Sequence, residues 1–470
     1  MDNLEICYMT VEEQVEAIKT RKLSPVEIMD AVLSRIERLN PKINAYCTLV
    51  AESARKQAKE AEARVMKGEK LGSLHGVPIS IKDLTFTKDI RTTFGSKIYE
   101  NFIPREDGVA VERLKAAGGI IIGKTNTPEF GFKALTDKPV FGVTRNPWNL
   151  EYTPGGSSGG AAAAAASGMG SLATGSDAGG SIRIPSSFCG VFGLKPSFGR
   201  VPQYPTFGAG GTFACTGPIT RTVRDAALAM EIIAGRDDRD RFSLPETGLR
   251  YLPFLGADLK GLKIAWSRDL GYATVDPQVL KITEAAVKVF NTLGATVEAI
   301  SPQLKSPWEA YSIMKGVGFV SLLKDKMEEW GEKIDPHLAL LIQQHEGRSV
   351  TDFMKASRER EEFWHEIRPI FEKYDLLLTP TMSVLPVKLD EFTVELIAGI
   401  KGSTFNWMSF TYPFNMTGQP AASVPCGWTD DGLPIGLEII GRRFDDVTVL
   451  RAAAAFEQAS PWADRRPPLD

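Results

Sequence analysis

Two small-residue clusters carry hydroxyls where the backbone can bend around them, 155-GGSSGG-160 and 175-GSDAGGSIRIPSS-187, with Ser157 and Ser181 24 residues apart. A serine in such a loop is a candidate nucleophile only if a base can take its proton. The chain has only four histidines. His75 stands alone in the first part of the chain, and His337, His345 and His365 fall on charged, helix-patterned segments. The better candidate is Lys82 in the apolar, strand-like run 76-GVPISIKDL-84. Neutralising an ordinary lysine at pH 7 costs about 4.6 kcal/mol, at roughly 1.36 per pH unit. Burial can lower a lysine pKa by about 3–5 units and remove most of that cost. The run 178-AGGS-181 would present successive backbone N–H groups free of bulky side chains, which is what stabilising an oxyanion requires.

Each feature has a plainer reading. Ser157 or Ser158 could be an N-cap in a Gly-rich turn ahead of the helix-like 161-AAAAAASG-168. Lys82 could be a strand-end residue reaching for water. The run 118-GGIIIGKT-125 matches the phosphate-loop pattern GxxxxGK[ST] literally, through Gly118, Gly123, Lys124 and Thr125. That pattern needs a strand before it and a helix beginning at the lysine. Here a helical pattern precedes, three isoleucines fill the loop and a proline follows, so the run reads as a buried strand.

The elements that must position these residues follow from periodicity. Residues 10–70 read as helices, with Ser24 capping 25-PVEIMDAVLSRIERLN-40 and a charged, Ala-rich helix over 51–70. From residue 76 onward, short apolar runs alternate with helical patterns: strands at 77–83 and 119–125, with a helix at 110–118 between them. A helix at 222–235 closes on Gly235, and the polar stretch 236–247 reads as a surface excursion. A strand–helix–strand series follows over 261–300, then helices through about 308–374, a strand at 375–380, and two strands joined by a turn over 418–441. Alternation of this kind implies an α/β fold with a parallel or mixed sheet under helices. A helix out from the first serine loop and a strand back would bring both loops to one end of it. No repeat or linker interrupts the chain, so residues 1–470 are read as one domain.

Composition excludes several classes. The 470 residues are 43% apolar and 24% charged, with a net charge of −3, which gives no electrostatic reason to expect nucleic acid. Five scattered cysteines (Cys7, Cys47, Cys189, Cys215, Cys426), without a CxxC pair, argue against a disulfide framework or a structural zinc site. The acidic, amphipathic N-terminus lacks the pattern of a signal peptide, and no apolar run reaches about 18 residues. The expectation is a cytoplasmic protein without a membrane span.

The stretch from 155-GGSSGG-160 to 195-KPSFGRVP-202, together with 76-GVPISIKD-83, 123-GKTNTPEFGF-132, 145-RNPWN-149 and 418-GQPAASVPCG-427, resembles the amidase signature family. The likeness runs from about residue 10 to 460. It implies a large mixed, mostly parallel central sheet with helices on both faces and a helical N-terminal segment. The signature core would span about 75–235, the N-terminal helices about 10–70 and a variable helical segment about 300–375. It also implies a Ser–Ser–Lys triad, with Ser181 as nucleophile, Ser157 as a bridging serine usually held by a cis peptide bond, and Lys82 as base. The backbone amides of Ala178, Gly179, Gly180 and Ser181 would form the oxyanion hole, and Ser158, Asp177 and Arg183 the supporting polar shell. Gly131, Phe132 and Gly156 are the expected substrate contacts. The loop 201–213 and the stretch 403–414 are further expected parts of the cleft. No metal and no cofactor enter this scheme.

The family contains free-standing amide hydrolases and also the glutaminase component of tRNA-dependent amidotransferases. That component's EVKRRI-like signature is absent, and residues 340–375 look more like stand-alone bacterial amidases. The expected reaction is therefore hydrolysis of a small apolar or aryl amide. An aryl carbamate (urethane) or ester hydrolase, or the tRNA-linked glutaminase, remains as an alternative. The expected partner is a small-molecule amide, with no nucleic acid and no membrane, and a homodimer is left open.

Overall fold

The computed structural model describes the whole chain except residues 1, 138–139, 207, 209–210, 247, 390–395, 398–399 and 402–405. The strands, in chain order, are β1 (Tyr46–Leu49), β2 (Pro78–Lys82), β3 (Ile120–Thr125), β4 (Leu172–Asp177), β5 (Phe192–Lys195), β6 (Cys215–Thr220), β7 (Lys263–Trp266), β8 (Thr296–Ala299), β9 (Leu376–Pro380), β10 (Leu396–Ile397), β11 (Ile400–Lys401), β12 (Ala421–Trp428) and β13 (Pro434–Gly441). β10 and β11 form a separate hairpin. The other eleven build one sheet in the order β1-β3-β2-β4-β6-β5-β12-β13-β9-β7-β8. It is the mixed sheet the resemblance implied, but not a mostly parallel one. Parallel pairing is confined to β3-β2-β4 and β9-β7-β8, and the centre is antiparallel throughout. Four antiparallel strands, β6, β5 and the hairpin of β12 and β13 near the C-terminus, join the two parallel blocks and change the balance.

Both faces of the sheet are covered. Ile79, Ile81 and Ile121 pack on one side under the helices Val109–Ala116, Val223–Ile233 and Asp446–Ala459. Ile120, Ile122 and Ala173 pack on the other, under Pro25–Ile43, Ala51–Met66 and Gly159–Ala166. The helix Pro25–Ile43 begins at Ser24 with a complete capping box to Glu27, as its sequence indicates. Val223–Ile233 starts at Thr222 and ends at Ala234, one residue before Gly235, whose φ of +115° takes the chain out of the helix. The phosphate-loop-like run is strand β3, preceded by a helix. Lys124 is fully buried and donates to Thr87 Oγ1 at 2.7 Å and Thr92 Oγ1 at 3.0 Å.

The site depends on two local features. Strand alternation puts Ser80 and Lys82 on the face of β2 opposite Ile79 and Ile81. All eight residues of the helix Gly159–Ala166 are buried, and at Gly160 a Cβ would come within 2.4 Å of Asn126 N. Only glycine and alanine leave room for this helix to lie so close to its neighbours, and it carries the first serine loop. Among the described residues no helix is long and apolar enough to cross a membrane.

Candidate active site

The chain leaves the first serine loop through the helix Gly159–Ala166 and returns along β4, so Ser157 and Ser158 lie beside Ser176 and Asp177. The Gly156–Ser157 peptide is cis. Ser158 occupies the N-cap position of the helix, but its hydroxyl makes no cap bond. It donates instead to Ser176 O at 3.3 Å. The capping explanation for the serine pair therefore does not hold.

Lys82 is fully buried, which rules out a side chain reaching for water. Its Nζ lies 2.8 Å from Ser157 Oγ, 3.1 Å from Ser176 Oγ and 3.3 Å from Ser176 O. Burial lowers its pKa to about 7, against the attraction of Asp177 and with added repulsion from Lys315. A neutral amine has two N–H groups and one lone pair. Ser176 offers acceptors for both N–H groups, which leaves the lone pair for the Ser157 hydroxyl. Ser181, partly exposed, shares a cleft with Ser157, Ser176, Ala178, Gly131 and the loop residues Pro202–Thr206. Its hydroxyl makes no hydrogen bond among the described residues. Catalytic contacts of this kind commonly tighten only around substrate.

Of the four amides expected in the oxyanion hole, Gly180 is already engaged, donating to Asp177 Oδ1 at 2.7 Å. The amides of Ala178, Gly179 and Ser181 have no acceptor among the described residues. This loop is shaped from behind: a Cβ on Gly179 would lie 2.0 Å from Tyr311 Oη, and Gly180 has a φ of +126°. Tyr311 donates to Ala178 O at 3.1 Å, and Thr411 to Gly179 O at 2.7 Å.

Asp177 and Arg183 form a two-point ion pair, with Nε–Oδ2 at 3.0 Å and Nη2–Oδ1 at 2.9 Å, and no exposure on either side chain. Arg183 also reaches Glu438 Oε1 at 2.6 Å, Thr411 O at 2.8 Å and Asn415 Oδ1 at 2.6 Å. Burial raises Asp177, but the guanidinium more than reverses this and holds the carboxyl well below its usual range. Burial pushes Glu438 up to about 7, because one guanidinium cannot fully compensate two carboxylates.

Gly131 lines the cleft, whereas Gly156 packs against the Leu135 backbone. Phe132 lines a second, more apolar cavity with Leu135, Trp308, Tyr311, Leu340, Trp407 and Met408. Phe207, Ala209, Gly210 and residues 403–405, parts of the two segments expected along the cleft, lie outside the described residues. None of the histidines joins the serines: His75 contacts Ala61 O, and His337 lines the second, apolar cavity. No group of three or more metal-ligating side chains occurs among the described residues.

Sequence reasoning missed Ser176, Tyr311, Lys315, Thr411, Asn415 and Glu438. Two had a visible signal. Glu438 is the one charge in 434-PIGLEIIG-441, and Ser176 sits inside the second cluster.

The chain is 41% identical to an acylamidase of Rhodococcus erythropolis, covering 99% of this chain and 98% of the relative. It is 38% identical to the A component of the glutamyl-tRNA(Gln) amidotransferase of Carboxydothermus hydrogenoformans, over 99% of this chain and 100% of that one. Among solved structures, a bacterial aryl acylamidase of the amidase signature family superposes with a TM-score of 0.92 at 34% identity, over 97% of each chain. The corresponding amidotransferase component of Thermotoga maritima gives 0.79, also at 34% identity, over 97% of this chain and 96% of that one. The Amidase family model matches residues 27–450, and the chain belongs to the amidase signature family of amide C–N hydrolases.

Proposed function

We propose that the protein hydrolyses small apolar or aryl amides as a free-standing enzyme, with Lys82, Ser157 and Ser181 as its proton relay and nucleophile. The observation that carries this reading is the fully buried Lys82 amine, poised near neutrality 2.8 Å from Ser157 Oγ. Lys82 takes the Ser157 proton as Ser157 takes that of Ser181, and Ser181 Oγ adds to the acyl carbon. The amides of Ala178, Gly179 and Ser181 receive the oxyanion. The proton returns through Ser157 to the leaving nitrogen as the C–N bond breaks. Water then enters by the same relay to release the carboxylate from Ser181. Arg183, Asp177 and Asn415 keep the loop 178–181 in shape.

The apolar cavity supports the aryl preference. Its volume is about 290 Å³, and a dry apolar cavity of roughly 150 Å³ already takes benzene. The greater similarity in shape to the aryl acylamidase than to the amidotransferase component, at equal identity, supports free-standing hydrolysis over the tRNA-linked role. Esters and carbamates pass through the same kind of tetrahedral oxyanion and belong in the same assay. The purified protein and Ser181→Ala are assayed on anilides, aliphatic amides, aryl carbamates, p-nitrophenyl esters and glutamine. Anilide turnover that Ser181→Ala abolishes is the expected result. Turnover of glutamine alone, or anilide turnover that survives the substitution, overturns it.

A further inference from the structure

The helix Trp308–Leu323, WEAYSIMKGVGFVSLL, carries one cation among apolar residues, Lys315. Its side chain points into the apolar cavity beside the oxyanion loop, on a wall shared with Tyr311, Phe132 and Met408. Tyr311 and Met408 are also the side chains nearest to Gly179, so the cavity abuts the proposed oxyanion site directly. An ammonium has three N–H donors. Lys315 uses one, to Phe132 O at 3.0 Å, and lies 5.5 Å from the Tyr311 ring centroid. It has no carboxylate within ion-pair distance among the described residues. The other lysine of this cavity, Lys133, is held by Asp137 at 2.6 Å and Asp335 at 2.7 Å. His337, on the same wall, lies 3.3 Å from Asp335. The remaining polar lining, Ser312 and Gln344, is neutral. The cavity thus contains, among the described residues, one cation without a carboxylate in ion-pair contact and no acidic lining residue.

We infer that Lys315 is a specificity residue that selects amides whose apolar arm ends in a carboxylate. This rests on the amide-hydrolase reading above and names the substrate class of the same site. A half-buried ammonium facing an apolar wall is costly unless an anion meets it. A substrate carboxylate there gains charge-assisted hydrogen bonds from the two N–H groups that Phe132 does not use. The apolar lining then receives the ring or methylene chain between that carboxylate and the scissile bond. Burial lowers Lys315 to about 8, which leaves it mostly cationic at neutral pH and ready to pair.

The test compares acids with their own methyl esters, so that size and shape stay nearly constant while the charge is removed. Acyl-arm probes are succinanilate, glutaranilate and adipanilate, and the amine-arm probe is 4-acetamidobenzoate. Dissociation constants are measured by calorimetry in Ser181→Ala and in Ser181→Ala/Lys315→Met. Values of kcat/KM are measured in the wild type and in Lys315→Met. Binding in the Ser181→Ala background does not need turnover, so a failure of the hydrolase reading and a failure of this one are told apart. The acid is expected to bind at least about 10-fold more tightly than its ester for one arm, the size of a charge-assisted bond. Lys315→Met brings that ratio close to one, and Lys315→Arg restores most of it. Equal binding of acid and ester on both arms overturns the inference, as does an acid preference that survives Lys315→Met.

Discussion

The floor of the cleft and the apolar cavity beside it are built in different ways. The floor is held by backbone and by largely buried polar contacts. Lys82 sits on β2, Ser176 and Asp177 on β4, and the guanidinium of Arg183 is fixed by four neighbouring residues. The cavity is walled by side chains from four separate parts of the chain, around Phe132, Tyr311, Leu340 and Trp407. A floor of this kind can do one chemistry on any acyl group that reaches it. A wall of side chains can be re-cut without disturbing that chemistry. Substitutions in the floor should therefore lower all rates together, and substitutions in the wall should re-rank substrates.

Lys82→Ala tests the floor most severely. General-base catalysis is worth about 10²–10⁴-fold, and kcat should fall by that much on anilides and aliphatic amides alike while the circular dichroism spectrum is retained. A loss that differs more than tenfold between the two substrates breaks the proposed division. Next is Arg183→Met, which leaves Asp177 and Glu438 buried without their cation. Breaking a buried ion pair by removing one partner costs about 3–5 kcal/mol, readable as a lower urea midpoint. Unaltered stability would mean that the network does not hold the loop 178–181.

The same contrast explains what the sequence revealed. The floor was legible because its chemistry is stored in short spacings. A lysine in an apolar strand run and two glycine–serine clusters mark Lys82, the Ser157–Ser158 pair and Ser181 as candidates. The resemblance to the amidase signature family is what singles out Ser157 and Ser181 among them. Strands with long apolar runs, such as β2, β3 and β9, were legible. However, β1 lies inside residues 10–70, read as helices, and the glycine- and threonine-bearing β5 and β6 were not read as strands. The pairing of the strands was not legible, since nothing in 418–441 says that its two strands insert antiparallel between β5 and β9. Glu438 shows the limit within the floor. It is visible as a lone charge in a strand, but its partner Arg183 lies 255 residues away and only the folded sheet brings the two together. The wall was scarcely legible for the same reason. An aromatic residue in a helix reads as core, and Trp308 and Tyr311 become cavity wall only where Phe132 and Met408 meet them.

A smaller effect tests the wall. The Trp308 ring lies 5.6 Å from that of Tyr311 and 5.3 Å from that of Tyr412. Trp308→Ala should lower kcat/KM on anilides by about 10-fold, the order of a lost apolar contact in a specificity pocket. Acetamide, too small to reach the wall, should change much less. Equal losses on both substrates would mean that the wall is part of the floor.

The smallest predicted effect lies where the two regions meet. Lys82 must be neutral to act as base, so kcat/KM of a neutral anilide should rise with pH through about 7, its lowered pKa. Part of that lowering comes from the positive charge of Lys315, which belongs to the wall. Lys315→Met removes that repulsion, so Lys82 holds its proton more tightly and the rising limb moves to higher pH. Trp308→Ala changes no charge and should leave the limb in place while re-ranking substrates. A carboxylate-bearing substrate that neutralises Lys315 should move the limb in the same direction as Lys315→Met, even in the wild type. Rate profiles between about pH 5.5 and 9.5 for the three proteins measure this, a window that brackets the lowered lysine and its ordinary range. If the limb stays fixed in Lys315→Met, the wall sets specificity without touching the base, and the division between floor and wall is complete. If it moves, the residue proposed to select an anionic substrate also tunes the base that would cleave it.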